Sequence, residues 1–246
     1  MNSMRIIGPG RAGRSLALAM TEVGWDVADI VGRGGPLASA AQGVDVLVVA
    51  TGDDAVATVA GSVDQVDTTL VVHLSGSLGL DVLAPHKRRA SMHPLMTLPD
   101  PYTGKGRLLS GIAFAADGDP AVAQVIAALG GETLNVDPAD RALYHATAAI
   151  ASNHLVALAG QVERLAASIG VPLHAYLALM AASLENVELA GSAARALTGP
   201  AARGDLNTIA RHLAALPAGE VDTYKAMARE AMRLAGRDPN LLEDTQ

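Results

Sequence analysis

Three groups of residues have types and spacings fit for chemistry. The first lies near the amino end, where Gly8-Pro9-Gly10-Arg11-Ala12-Gly13 spells Gly-x-Gly-x-x-Gly between a short apolar run and a helical pattern. There the first glycine allows a tight turn, the second lets the backbone approach a pyrophosphate, and the third lets helix and strand pack closely. The anion then rests on the helix amino terminus, where free N–H groups and the helix dipole favour it. Gly8, Gly10, Arg11, Ala12 and Gly13 are therefore the candidate dinucleotide residues. About 20 residues beyond such a motif an NAD site places an acid on the adenosine ribose. This chain has Arg33 there, between Gly32 and Gly34, and Asp29 falls earlier, inside the preceding apolar run. A guanidinium can pair with a 2′-phosphate and stack on adenine, which points to NADP. The plainer reading of Arg33 is a solvated loop arginine. Thr51 and Ser75, each just past a later apolar run, complete the cofactor candidates.

The second group is histidine-centred. A helical segment carries Tyr144-His145 and then Asn153-His154. At about 100° per residue, positions eight apart fall about 80° apart, so His145 and Asn153 share a broad face while His154 points away. A histidine facing a nicotinamide could give a proton to a carbonyl oxygen as the carbon receives hydride, with Asn153 holding that oxygen. His93 is the rival donor: His93-Pro94 ends a strand-like run, and ligands of open α/β sheets bind beyond the carboxyl ends of strands. Either histidine could instead serve packing or loop capping. Arg203, within Thr198-Gly199-Pro200-Ala201-Ala202-Arg203-Gly204-Asp205, could hold a substrate carboxylate, or belong to a polar linker whose Asp205 caps the next helix. The chain has no cysteine and no His-Glu-x-x-His, so thiolate chemistry is excluded and no metal site is expected. None of its three lysines, Lys87, Lys105 and Lys225, falls in the helix of His145.

The elements that must position these residues change character along the chain. Strand-sized apolar runs at 4–7, 25–31, 44–50, 69–74, 89–92, 112–115 and 132–136 alternate with helical stretches at 14–23, 36–42, 55–63 and 120–129. Segment 94–106 reads as a Pro- and Gly-rich loop. Alternation of this kind is the mark of βαβ units and a mostly parallel sheet covered on both faces. From Pro138 onward only helices are expected, over 139–169, 173–197, 205–216 and 220–234, with a polar tail after Gly236 that should fray. The expected organisation is an α/β Rossmann domain over 1–137 and an all-α domain over 138–246.

Composition narrows the partners. Net charge is -7, and aromatic residues make up only 2% of the chain, so neither a basic footprint nor stacking platforms for nucleic acid are present. The amino terminus lacks a signal-peptide pattern and no apolar run reaches membrane length, which makes cytoplasmic residence and no membrane partner the expectation. Leu155, Leu158, Val162 and Leu165 form an apolar stripe at helical spacing. Such stripes exceed what a small helical domain buries by itself, and a symmetric homodimer is expected.

With those residues in view, the chain resembles the small Rossmann-like oxidoreductases whose carboxyl-terminal helical half is a domain of unknown function, relatives of ketopantoate reductase and pyrroline-5-carboxylate reductase. The resemblance rests on Gly8 to Gly13, Ser91-Met92-His93-Pro94-Leu95, Ala151-Ser152-Asn153-His154-Leu155 and the segment from Thr198 to Asp205. It implies NADPH-dependent reduction of a small 2-keto acid, with ketopantoate first among substrates, and pairing through the helical halves. Against ketopantoate reductase itself, His145 stands where its catalytic lysine aligns, while Asn153 falls at a matching asparagine. His93-Pro94 is similar to the His-Pro pair of prephenate dehydrogenases. The alternatives are a cyclic-imine reductase of the pyrroline-carboxylate type and a non-catalytic NADP-binding sensor.

Overall fold

The computed structural model describes residues 2–242. Its first half is a seven-stranded sheet in the order β2-β1-β3-β4-β5-β6-β7. The strands are β1 (Ser3–Ile7), β2 (Asp26–Val31), β3 (Val46–Val49), β4 (Leu70–His73), β5 (Arg89–Pro94), β6 (Ala113–Gly118) and β7 (Glu132–Asn135). Strands β1 to β5 run parallel. The direction reverses between β5 and β6, and β7 is parallel to β6. The mostly parallel α/β sheet expected from the apolar runs is therefore present.

Side-chain alternation explains why the central strands β3 and β4 are apolar almost throughout. Val46 and Val48 point into one core with Met4, Ile6, Leu70 and Phe114, while Leu47 and Val49 point into a second core with Ile7, Val56 and Val71. A strand covered on both faces has no polar side to show. The covering helices are α1 (Arg11–Glu22), α2 (Asp53–Gly61), α3 (Pro101–Leu108) and α4 (Val122–Ala128). Helices α1, α3 and α4 supply the first core, and α2 supplies the second.

Two local expectations are corrected. Segment 36–42 forms turns, not a helix. Only seven residues separate Gly35 from Gly43, and the Arg5 guanidinium donates to the carbonyls of Ala40 and Gln42, holding the turns in place. Within the expected loop 94–106 helix α3 begins. The Asp100 carboxylate accepts from the amides of Tyr102 and Thr103, and Pro101 sits in the first turn.

The helical part is α5 (Arg141–Ala149), α6 (Leu155–Ser168), α7 (Leu173–Ala190), α8 (Ala193–Ala196), α9 (Gly199–Arg203), α10 (Leu206–Ala215) and α11 (Ala218–Leu234). The single helix expected over 139–169 is a short 3-10 turn, then α5, a π-helical turn at Ile150–His154, and α6. The chain divides into two compact units inside that π turn, the first ending at Asn153 and the second beginning at His154. The run expected over 173–197 breaks at Gly191, whose positive φ ends α7. Asp205 caps α10, accepting from the Thr208 amide. The tail does not fray over its described part: Pro239–Leu242 forms a 3-10 turn and Leu242 is fully buried with Ile209 and Met232.

Candidate functional site

The strand order reverses at β1, with β2 on one side and β3 on the other. Such a reversal opens a crevice beyond the carboxyl ends of the strands. The glycine motif lies there, between β1 and α1. Gly8 has φ +112°, and a Cβ on it would stand 2.5 Å from the Ala50 carbonyl oxygen. A Cβ on Gly13 would stand 2.1 Å from the Gly8 carbonyl oxygen, so helix and strand can approach this closely only with glycine. Gly10 is different, since nothing lies within 4 Å of where its Cβ would be. Its open side faces a cleft of about 370 Å³ lined by Arg11, Ala12, Thr51, Leu74, His93 and Pro94, among others. The Thr51 hydroxyl in that lining is buried and has no protein partner. An open backbone cradle, the first turn of α1 and an unpartnered hydroxyl suit a pyrophosphate.

Past β2, Arg33 is exposed and carries no hydrogen bond or ion pair among the described residues. Asp29, the nearest acid before it, is bound by Arg5, whose Nε donates to Asp29 Oδ1 at 2.6 Å. The end of β2 therefore offers a free cation and an already engaged carboxylate. Ser75 is nearly buried, and its hydroxyl, like that of Ser77, donates to Asp53 Oδ2 at 2.7 Å.

A second cleft of about 860 Å³ adjoins the first and shares His93, Pro94 and Met96 with it. Its remaining walls come from the segment after β5 and from α5 and the π turn, and they include Tyr144, His145 and Asn153. Apolar side chains such as Leu95, Leu143 and Ala148 dominate the walls. Among the described residues Asp140 is their only carboxylate, and no lysine or arginine lines this cleft.

Helix α5 meets β5 by two matched pairs. Arg141 and Tyr144 are one turn apart on α5, and Ser91 and His93 are two apart on β5, so each pair of side chains shares one face. Arg141 Nη2 donates to Ser91 Oγ at 2.9 Å and lies 3.5 Å from Asp117 Oδ2 on β6. Tyr144 Oη and His93 Nδ1 share a hydrogen bond of 2.7 Å. The His145 ring stands edge-on to His93, 6.0 Å between centroids. Gly76, after β4, permits this crowding: a Cβ there would stand 2.8 Å from His145 Cδ2 and 3.0 Å from the His93 ring.

Burial sets the protonation states. Desolvation, reinforced by the charges of His145, Arg141 and His73 and opposed by Asp53, pushes His93 down to about 4. Fully buried His73 is pushed down to about 4 for the same main reason, despite its hydrogen bond with the Gly79 carbonyl. Burial raises the Tyr144 phenol above its ordinary value, with Arg141 opposing the rise. At neutral pH the tyrosine holds a proton and His93 does not carry an extra one.

Of the residues singled out in the sequence, Gly10, Arg11, Ala12, Thr51 and His93 line the first cleft, and His93, His145 and Asn153 line the second. Arg203 closes α9 in the second unit and is exposed. Two contributors were missed as site residues, Tyr144 and Arg141, whereas Gly76 adjoins the singled-out Ser75 just past the end of β4. Tyr144 adjoins His145 in sequence, and its polar tip in an aromatic-poor chain was the available signal. Nothing in the sequence marked Arg141 as a buried cation.

Residues 111–231 match the family model described as a domain of unknown function, DUF2520. No curated protein matches the chain. Among solved structures, a Bacteroides fragilis protein provisionally described as an NADP oxidoreductase is 19% identical, with a TM-score of 0.77 over 94% of this chain and 98% of that one. A reductive aminase from Aspergillus terreus, in complex with NADPH and ethyl levulinate, is 16% identical, with a TM-score of 0.70 over 99% of each chain. Pyrroline carboxylate reductase from Plasmodium falciparum, with NADP bound, is 12% identical, with a TM-score of 0.60 over 95% and 98%. At these identities the likeness is one of fold.

Proposed function

We propose that this chain is an NADPH-dependent reductase of a small carbonyl or imine compound. The observation that carries the reading is the junction of the two clefts at His93-Pro94: a dinucleotide laid from the glycine loop along the first cleft ends where the second begins. Similar folds bind NADPH and NADP in the reductive aminase and the pyrroline carboxylate reductase, which supports the same cofactor here. Gly8, Gly10, Arg11, Ala12, Gly13 and Thr51 would hold the pyrophosphate region, and Ser75 would keep the adjoining loop in place through Asp53. Arg33 would take the 2′-phosphate, since Asp29 is already paired and no acid competes.

Bound NADPH supplies a hydride to the electrophilic carbon. The residues of the chain do the rest: apolar walls exclude water, and Asn153 orients the carbonyl oxygen or imine nitrogen. His145, His93 and their neighbour Tyr144 govern its protonation. A 2-keto acid such as ketopantoate would need a cation from outside the second cleft, for which the sequence offers Arg203. One specific observation favours an imine instead. The cleft walls contain a carboxylate, Asp140, and no lysine or arginine, which suits a substrate that becomes cationic. The test is a panel of 2-keto acids, neutral ketones and cyclic imines, each followed by loss of NADPH absorbance. Turnover of at least one class is expected. NADPH binding with no turnover across the panel would replace this reading with the sensor.

A further inference from the structure

We propose that Tyr144 is the residue that gives up the proton in the reaction of this site, and that His93 is the positioning residue that holds its hydroxyl and the phenolate it leaves. The inference rests on the reductase reading above and deepens it. The Tyr144 side chain lines the second cleft, and its Oη is 2.7 Å from His93 Nδ1, at the junction with the first. A phenol oxygen has one hydrogen to donate and two lone pairs. When neutral His93 carries its hydrogen on Nδ1, that N–H donates to the Tyr144 oxygen. The phenol hydrogen is then left free to turn into the cleft.

As the carbon of the substrate C=O or C=N receives a hydride from NADPH, the π pair passes to the oxygen or nitrogen. The Tyr144 Oη–H bond breaks and a new O–H or N–H bond forms on the substrate. The phenolate left behind accepts the His93 Nδ1–H hydrogen bond and faces the field of Arg141, until solvent returns its proton. NADPH is oxidised, the carbonyl or imine is reduced to an alcohol or amine, and one proton is taken from water per turnover.

The surroundings fit this role better than direct donation by His93. Held near 4, His93 is an extra-protonated acid in roughly one molecule in a thousand at pH 7. Tyr144 keeps its proton throughout the neutral range. The groups facing the pair are His145 and Arg141 on α5, Asp117 on β6, which sits against Arg141, and His73 at the end of β4 and Asp53 in α2. Arg141 is buried and anchored by Ser91 and Asp117, so a fixed positive charge stands where phenolate develops. Desolvated fixed charge of this kind stabilises a developing anion without reorganisation.

The experiment uses the full chain, NADPH, and whichever compound of the panel the wild type reduces fastest. Tyr144→Phe keeps the ring and removes the proton; it is expected to lower kcat by about 10²–10⁴-fold and leave the NADPH dissociation constant unchanged. His93→Ala should lower kcat by about tenfold or more, and His93→Asn, whose amide N–H sits near Nδ1, should restore most of it. A readout independent of turnover is the tyrosinate absorbance of the apoprotein, taken as wild type minus Tyr144→Phe. The Tyr144 titration should move upward in His93→Ala and return in His93→Asn. A Tyr144→Phe kcat within threefold of wild type overturns the assignment alone, as does a tyrosinate titration unmoved by His93→Ala. A wild type that reduces nothing overturns the reductase reading, and this assignment falls with it.

Discussion

At the residue scale, the glycine motif and Arg33 carry the sharpest expectations. Gly13→Ala places a methyl carbon 2.1 Å from the Gly8 carbonyl, so the loop must open; NADPH affinity should fall at least tenfold by fluorescence titration. Unchanged affinity would show that the loop does not cradle the nucleotide. Arg33→Ala should remove a preference for NADPH over NADH of about tenfold to a hundredfold, the range of one or two charge-assisted hydrogen bonds. Equal affinities in the wild type would contradict the role given to Arg33. His73 yields a stability prediction. Its folded value, about 4, lies below the ordinary 6.5, so the unfolded chain binds more protons between those limits. Stability from this group is therefore complete above pH 6.5 and lost as pH falls toward 4, by roughly 3 kcal/mol. Denaturant unfolding at stepped pH should show that slope, shallower but not abolished in His73→Gln because His93, also held near 4, adds its own. A wild type with no loss between pH 6.5 and 4.5 would refute it.

At the scale of elements, the contact of α5 with β5 decides whether Tyr144 and His145 reach His93. Arg141 is only 6% exposed and is held by Ser91 and Asp117. Arg141→Met should cost about 1–3 kcal/mol, because the fully buried Ser91 hydroxyl loses its donor. Faster hydrogen exchange in α5 than in α1 should accompany it, and identical exchange would show that α5 is held by something else. This contact marks the limit of what was legible in the sequence. Strands β1, β3 and β4 could be read because continuous Val, Leu and Ile runs have no other stable home than a sheet covered twice. Helix α3 could not, although Asp100-Pro101 is a cap followed by a first-turn proline, because Gly104 and Gly106 look like loop residues. The structure explains Gly104: a Cβ on it would stand 2.0 Å from the Ser15 hydroxyl of α1, so the glycine serves helix packing. The reversal of β6 was hidden for a different reason. A buried strand has the same apolar composition in either direction. His93 and His145 could be picked out by type, but their 6.0 Å ring separation depends on two elements about fifty residues apart and on Gly76 between them.

At the scale of the whole molecule, α7 presents an uncovered apolar surface. Among its 18 residues none is buried, and Leu177, Leu179, Leu184 and Leu189 are all exposed. A second copy of the chain is the occupant expected from the apolar stripes of the helical region. Light scattering at micromolar concentration should return twice the 25.0 kDa chain mass, and Leu184→Glu should shift it toward the monomer. A wild type at the single-chain mass would refute the dimer.

The π turn at Ile150–His154 has its own bearing on the chain as a whole. It holds one residue more than an α-helix needs, and the Ser152 hydroxyl donates to the Ala148 carbonyl at 2.7 Å within it. An added residue is a matter of phase, not of side-chain chemistry. Deleting Ala151 would let the helix run regularly and leave Asn153 seven places after His145, one residue's rise nearer along the axis and in a new phase against the cleft wall. Every functional side chain would survive in such a protein, and the glycine loop should still bind nucleotide. Its turnover should nonetheless collapse, which makes the length of this short segment, and not its composition alone, part of what the sequence encodes.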